Sequence, residues 1–419
     1  MNTTPSRVVV LGSGVAALQA AFLLEMRLSG RVDLDVVSDR DDFVLRSNLV
    51  YLPFGADPVT STIDTADGLM RKGIRSTPGH VEGVDTSAGR VHLAGMQPLP
   101  YEHLVIATGA APRPQEIPGL AKHAVGIWDA PQMLTLRERF GRVRGLAREG
   151  VRQRVLFVVP RHSQWSLPLY EVALMFDTWL GREHAREPVD VGFVTCEASF
   201  AQSCGPRMHE VVESEFARRG IEGHTSRRLL VVREHEASFA EGRTEPFDLL
   251  VTTPPHAPAV RYEGLPLDER GFLRVESATR QVTGHPELYA PGDAGDFPLK
   301  DEFLAVLQAD AVADHLASVV TGGSFKRPFD AASVQIIDML DRAAFAQLPL
   351  EPSGDPEHPL RLRAGAESEY KVGVSPRWRA AKRMFASSLL GRFAAGEPFQ
   401  TGPGRRLMGF GVRALAGMP

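Results

Sequence analysis

At 419 residues, 43% hydrophobic and 23% charged, the chain is long enough for roughly two or three globular cores, which excludes a low-complexity or disordered polymer. A formal charge of −4 argues against nucleic acid as the main partner, and two cysteines, Cys196 and Cys204, are too few for a secreted disulfide framework. The start, MNTTPSR, lacks the charged, apolar and small-residue regions of a signal peptide, and no apolar run reaches the ~18 residues of a membrane span, so a cytosolic compartment is expected.

The first predicted unit is RVVVLGSGVAALQAAFLLEMRLSGRVDLDVVSDRDDF. Residues 8–11 are continuously apolar, as in a strand covered on both faces, and apolar residues at helical spacing follow. Between them Gly12, Gly14 and Ala17 form a G-x-G-x-x-A spacing. The first glycine permits the tight turn, the second lets backbone amides reach a pyrophosphate, and the small third residue lets helix pack on strand; a bound dinucleotide is expected. The second strand ends in Ser38 followed by Asp39. Either side chain can hydrogen-bond a ribose hydroxyl, and Asp39 capping the next turn fits equally well.

Strand-like runs recur at RVHLAG, EHLVIATG, RVLFVVP, VDVGFVT and FDLLVTT, with helical segments between several of them. The pattern predicts a doubly wound α/β fold built twice, with ATGAAPRPQEIPGL as the crossing between halves. EHLVIATG ends in Thr108 and Gly109, and HPELYAPGDAGDFPLK carries Gly292 and Asp293 past the end of another strand. From about Phe329 the pattern changes.

This set of motifs resembles the two-dinucleotide-binding-domain flavoproteins of the FAD-dependent pyridine nucleotide-disulfide oxidoreductase superfamily. Within it the likeness is to the sulfide:quinone oxidoreductase and flavocytochrome sulfide dehydrogenase branch, which is related to type II NADH dehydrogenase. The resemblance covers nearly the whole chain. It implies FAD on the Gly12 turn, the Thr108–Gly109 strand end near the cofactor's centre, and Gly292 and Asp293 on its ribityl or pyrophosphate region. Residues 43–55 are similar to the segment that lies along the flavin ring, although Ser47 stands where a proline is common. Pro254, Pro255 and His256 are typical of the branch. FPLKDEFLAVLQADAVADHLA resembles the helix aimed at the flavin pyrimidine edge, which makes Lys300 the candidate for a catalytic role; a solvated lysine at a helix start is the alternative.

Two features of the family are missing. In members that oxidise NADH the second βα turn carries its own glycines, whereas Pro160, Ser163 and Ser166 occupy it here, so a pyrophosphate would meet side chains and a proline without an N–H. Glu171 falls where many relatives carry a helix glutamate and reads as a helix-surface acid. The three thiol positions of the sulfide enzymes fall on Trp128, Trp165 and Gln335, so no polysulfur relay is carried over. Cys196 and Cys204 read as ordinary reduced cysteines, and no cluster has metal-ligand spacing.

Residues 371–419 hold nine Lys or Arg and one acid, a charge of +8 on a chain that is otherwise −12. Trp378, Ala381, Phe385, Leu389 and Phe393 share one helical face, with Arg379, Lys382, Arg383 and Arg392 on or beside the polar one. A basic helix with an aromatic apolar face predicts attachment to an anionic membrane surface, and GRRLMGFGVRALAGMP repeats the chemistry.

The sequence therefore predicts an FAD-binding Rossmann-like domain over 1–115 and 285–325, interrupted by a degenerate NAD-type Rossmann-like domain over 116–284. A C-terminal α+β and amphipathic helical region follows over 326–419. The expected protein is an FAD-dependent oxidoreductase without the thiol relay, peripheral on the inner face of the cell membrane. It would pass electrons from an unidentified small-molecule donor to a quinone or redox protein; a homo-oligomer is compatible with this reading, and nucleic acid is not a partner. The rivals are an NAD(P)H:acceptor enzyme like type II NADH dehydrogenase and a non-catalytic flavin-binding module.

Overall fold

A computed structural model describes residues 5–355 and 360–399. The chain begins with strand β1 (Ser6–Leu11), helix α1 (Val15–Leu28), β2 (Val32–Ser38), β3 (Arg75–Pro78) and β4 (His103–Ile106). It leaves this body through β5 (Ala110–Pro112) and builds β6 (Ala124–Gly126), α2 (Ala130–Arg148), β7 (Gln153–Val159), α3 (Leu167–Arg182), β8 (Val189–Thr195), α4 (Pro206–Arg219), β9 (Ile221–His224) and β10 (Leu249–Thr252). It returns through β11 (His256–Pro258), which pairs antiparallel with β5, and adds β12 (Gln281–Val282), β13 (His285–Tyr289) and α5 (Glu302–Thr321) to the first body.

Two separate sheets result. The first has the order β12-β13-β4-β1-β2-β3, parallel except at the β12–β13 edge, and the second, β6-β10-β7-β8-β9, is parallel throughout. Burial on both faces explains the apolar runs: Val8, Val9, Val10 and Leu11 are all fully buried, as are residues 155–158. The run RVHLAG departs from the expected pattern. Arg90–Leu93 belongs to a small antiparallel meander and not to either parallel sheet, in keeping with its alternation of exposed and buried residues.

α5 is long and apolar enough to cross a membrane by length and composition, yet Val306, Ala309, Val312 and Leu316 are buried in the core it shares with α1. Its start is fixed by Asp301, whose side chain accepts from the Leu304 N–H.

The last part of the described chain is an antiparallel sheet in which β15 (Ala343–Pro352) pairs with β14 (Ala332–Asp338), β16 (Leu360–Leu362) and β17 (Lys371–Ser375), followed by α6 (Pro376–Ala394). Ser375 caps α6 by accepting from the Arg377 N–H, and Pro376 stands where a helix tolerates proline. The apolar face read as a membrane face turns inward. Trp378 stacks on Phe345 with ring centres 4.0 Å apart, Phe393 packs edge-on to Phe43, and Leu389 is fully buried in the α1–α5 core. Two of the four basic residues assigned to the polar face are also drawn in: Lys382 pairs with Glu171 and Arg379 with Asp338. Intramolecular burial satisfies the amphipathic pattern, which corrects the membrane reading of this helix. The segment GRRLMGFGVRALAGMP lies outside the described residues.

Candidate functional site

The turn between β1 and α1 has three residues, Gly12, Ser13 and Gly14. Gly12 sits at φ +107°, and a Cβ there would lie 2.4 Å from the Ala107 carbonyl oxygen, so only glycine lets the turn pass the end of β4. Gly14 differs. A Cβ on it would meet no protein atom within 4 Å, and the residue caps α1 without any side-chain hydrogen bond. The helix therefore opens into free space with its first N–H groups uncapped, which is the cradle an anionic pyrophosphate needs.

That space is a long cleft of about 1440 Å³, part of it continuous with solvent. Gly12, Gly14, Ser38, Asp39, Thr108, Gly109, Gly292, Asp293 and Lys300 all line it. Ala17 does not; it is fully buried behind the turn, where a larger residue would push helix from strand. At one end Ser38 Oγ donates to Ser13 Oγ at 3.0 Å, and Asp39 Oδ2 lies 3.1 Å from His80 Nδ1, which lines the same cleft. Midway, Thr108 Oγ1 lies 3.2 Å from the Tyr262 hydroxyl, and the Gly292 N–H donates to Gln308 Oε1 at 3.0 Å.

Lys300 is not a solvated lysine. It is 4% exposed, its Nζ donates to the Gly295 carbonyl at 2.6 Å, and it stands 4.0 Å over the Phe272 ring. Burial lowers its pKa to about 8, against the pull of Asp293, Asp268 and Asp296. The following Asp301 is pushed up to about 7 by burial.

The residues at the former thiol positions gather at the same end. Trp128 and Trp165 meet edge to face at 5.7 Å, and Gln335 Nε2 donates to Asp301 Oδ2 at 2.9 Å. The sequence reading missed Arg46 and His256 as cleft-lining groups, although both lie in segments it had singled out. Cys196 and Cys204 line no part of the cleft; burial pushes the Cys196 thiol up to about 12 and raises Cys204 too, which suppresses the reactive thiolate.

The equivalent turn of the second sheet is unlike the first. β7 and α3 are joined by seven residues, 160–166, without a glycine, and Pro168 removes an N–H from the first turn of α3. A carboxylate already stands against that turn: Glu197 accepts from Ser166 Oγ at 3.0 Å, Tyr170 Oη at 2.5 Å and Thr195 Oγ1 at 2.8 Å. Glu197 lies just past the end of β8, where a Rossmann unit carries its ribose-binding acid, and its oxygens are taken by the chain's own hydroxyls. Glu171, further along α3, corrects the surface-acid reading. It is buried, pushed up to about 7 by burial, and held by Lys382 and the Asp338 N–H.

Residues 6–157 match the family described as Pyridine nucleotide-disulphide oxidoreductase. An NADH dehydrogenase-like protein of Mycobacterium tuberculosis is 25% identical over 316 residues, 72% of this chain and 76% of that one. A mitochondrial external alternative NAD(P)H-ubiquinone oxidoreductase of Arabidopsis thaliana is 25% identical over 271 residues, 58% of this chain and 46% of its own. The sulfide:quinone oxidoreductase of Aquifex aeolicus shares the fold with a TM-score of 0.83 at 19% identity, over 97% of this chain and 95% of that one. The match to that family thus covers residues 6–157, and the chain shares the fold of the Aquifex sulfide:quinone oxidoreductase.

Proposed function

We propose that the protein carries electrons through FAD from a small-molecule donor other than NAD(P)H or sulfide to a quinone or a redox protein. FAD, when bound, supplies reversible electron acceptance. In this reading Gly12, Gly14 and the start of α1 hold its pyrophosphate, and Ser38 or Asp39 its ribose. Thr108, Gly109, Gly292 and Asp293 line its middle, and Lys300 places a positive charge by the flavin.

The observation that carries the choice of donor is Glu197 lodged against the start of α3, beside a seven-residue connection without glycine. A second pyrophosphate would have to displace a carboxylate and bind without the N–H lost at Pro168. Trp128 and Trp165, in place of thiols, disfavour sulfide. A second reading, NAD(P)H oxidation, is favoured by the activities named for the mycobacterial and plant relatives.

The acceptor half is tested by photoreducing the flavin with EDTA as the sacrificial electron donor, without oxygen, and mixing it with a short-chain soluble quinone. Saturable reoxidation at a rate above about 1 per second, in the range of ordinary turnover, is expected. Reoxidation no faster than that of free reduced flavin would remove the quinone from the proposal.

A further inference from the structure

The cleft end beside Trp128 contains more recognition chemistry than a cofactor cradle requires. The Arg46 guanidinium lies 4.2 Å over the Trp128 ring and, among the described residues, forms no ion pair or hydrogen bond with any carboxylate. Asp293, Glu302 and Asp129 act on it only at longer range. His256 is 1% exposed, its ring is 4.5 Å from Trp128, and neither ring nitrogen has a hydrogen-bond partner. A buried ring with two idle polar atoms is costly unless something else satisfies them. Burial, with Arg46, Lys300 and Arg270 nearby, holds its pKa down to about 3, so the ring stays neutral and offers one donor and one acceptor.

Trp128 and Trp165 stand at 82° to each other and line the same cleft as Arg46, His256 and Lys300. Two aromatic walls, an unpaired guanidinium and a neutral imidazole form a recognition set. The walls suit a flat apolar body, the guanidinium suits a carboxylate, and the imidazole supplies a directional hydrogen bond.

We propose that this end of the cleft is the donor pocket, and that it takes a small planar organic anion, a carboxylate on an aromatic or conjugated body. The inference rests on the reading of the adjoining cleft as the FAD site. A bare hydrosulfide would leave both indole faces unused. A neutral amide, such as the carboxamide of a nicotinamide, would leave the half-buried Arg46 without a counter-charge.

The test uses the protein as purified, with benzoate as probe and benzamide as its neutral counterpart, followed by flavin absorbance and tryptophan fluorescence. Benzoate should bind saturably and at least about tenfold more tightly than benzamide, as expected for a charge-assisted hydrogen bond. Arg46→Met should erase that preference while the ratio of FAD to protein stays at the wild-type value, and Arg46→Lys should restore part of it. Equal binding of the two probes, no saturable binding, or an Arg46→Met protein that loses its FAD would overturn the proposal; the last result would make Arg46 a cofactor ligand. Failure of the FAD reading is seen separately, as wild-type protein that neither purifies with nor takes up FAD. Tryptophan fluorescence still reports benzoate binding to that protein, and a retained preference over benzamide would leave the anion pocket standing.

Discussion

Lys382 Nζ donates to Glu171 Oε1 at 2.5 Å, joining α6 to α3 across 211 positions of sequence. The same carboxylate accepts from the Asp338 N–H, and Asp338 in turn holds Arg379 at 2.8 Å and the Tyr51 hydroxyl at 2.9 Å. The last described helix is therefore bolted to both α3 of the second sheet and, through Tyr51, the segment 43–55. Removing one member of a buried pair leaves an uncompensated charge, so Lys382→Met should cost about 3–5 kcal/mol of stability. The double replacement Lys382→Met with Glu171→Leu should recover at least half of that loss in denaturant unfolding. A single variant within about 0.5 kcal/mol of wild type would show the pair to be dispensable.

The two glycines of the first turn should fail in different ways. Gly12→Ala forces a side chain into the Ala107 carbonyl at positive φ and should destabilise the fold itself. Gly14→Val has room within the protein, so it should fold and lose its yellow colour, with a lowered melting temperature that reflects only the missing ligand. Circular dichroism and flavin absorbance on the same samples separate the two outcomes. Full flavin occupancy in Gly14→Val would contradict the cradle.

Lys300 gives the cofactor affinity a pH dependence of known sign. Its pKa is about 8 in the flavin-free protein, held there by burial, while Asp293, Asp268 and Asp296 oppose and Arg280 reinforces the lowering. An anionic cofactor alongside raises that value, so binding takes up a proton and the affinity falls as pH rises through about 8. By linkage the loss between pH 7 and 9 is up to about tenfold. Equilibrium binding of FAD at those two pH values should show this slope in wild type and lose it in Lys300→Met. An equal slope in the variant would assign it to another group.

Trp378 now has a different expected phenotype from that of a membrane anchor. Because its ring lies against Phe345 inside the protein, Trp378→Ser should lower stability by several kcal/mol, about the 3–5 seen for large aromatic truncations in cores. Truncation after Tyr370 should remove part of the core and yield insoluble protein, whereas truncation after Phe399 should stay folded and keep FAD. Only the full chain, with Arg405, Arg406 and Arg413, should bind anionic vesicles. Vesicle binding undiminished by the shorter truncation would place the membrane contact on the folded body.

The fold was legible where burial on two faces leaves a plain mark, as in the apolar strands β1, β7 and β10 and the glycine turn before α1. Lys300 and the Gly292–Asp293 pair were legible because their neighbours carry recognisable motifs. The fate of α6 was not, because amphipathy records that a face is covered and says nothing of what covers it; Lys382 looked like a surface lysine until its partner 211 residues away came into view. In the sequence His256 is only part of a proline-rich segment, since an idle buried ring cannot be seen before the backbone is folded around it. Glu197 escaped notice for a related reason. Its meaning comes from the three hydroxyls that converge on it from β8 and the start of α3.

Whether the first nucleotide site serves FAD while the second does not serve NAD(P)H is decided by mixing the purified flavoprotein with NADH and then NADPH under anaerobic conditions. The absorbance of the oxidised flavin is followed in a stopped-flow instrument. The flavin should stay oxidised with either nucleotide over many seconds, at concentrations up to the millimolar range of weak substrates. Saturable bleaching above about 1 per second by either one would contradict it, and would show that Glu197 and Pro168 do not close the second site.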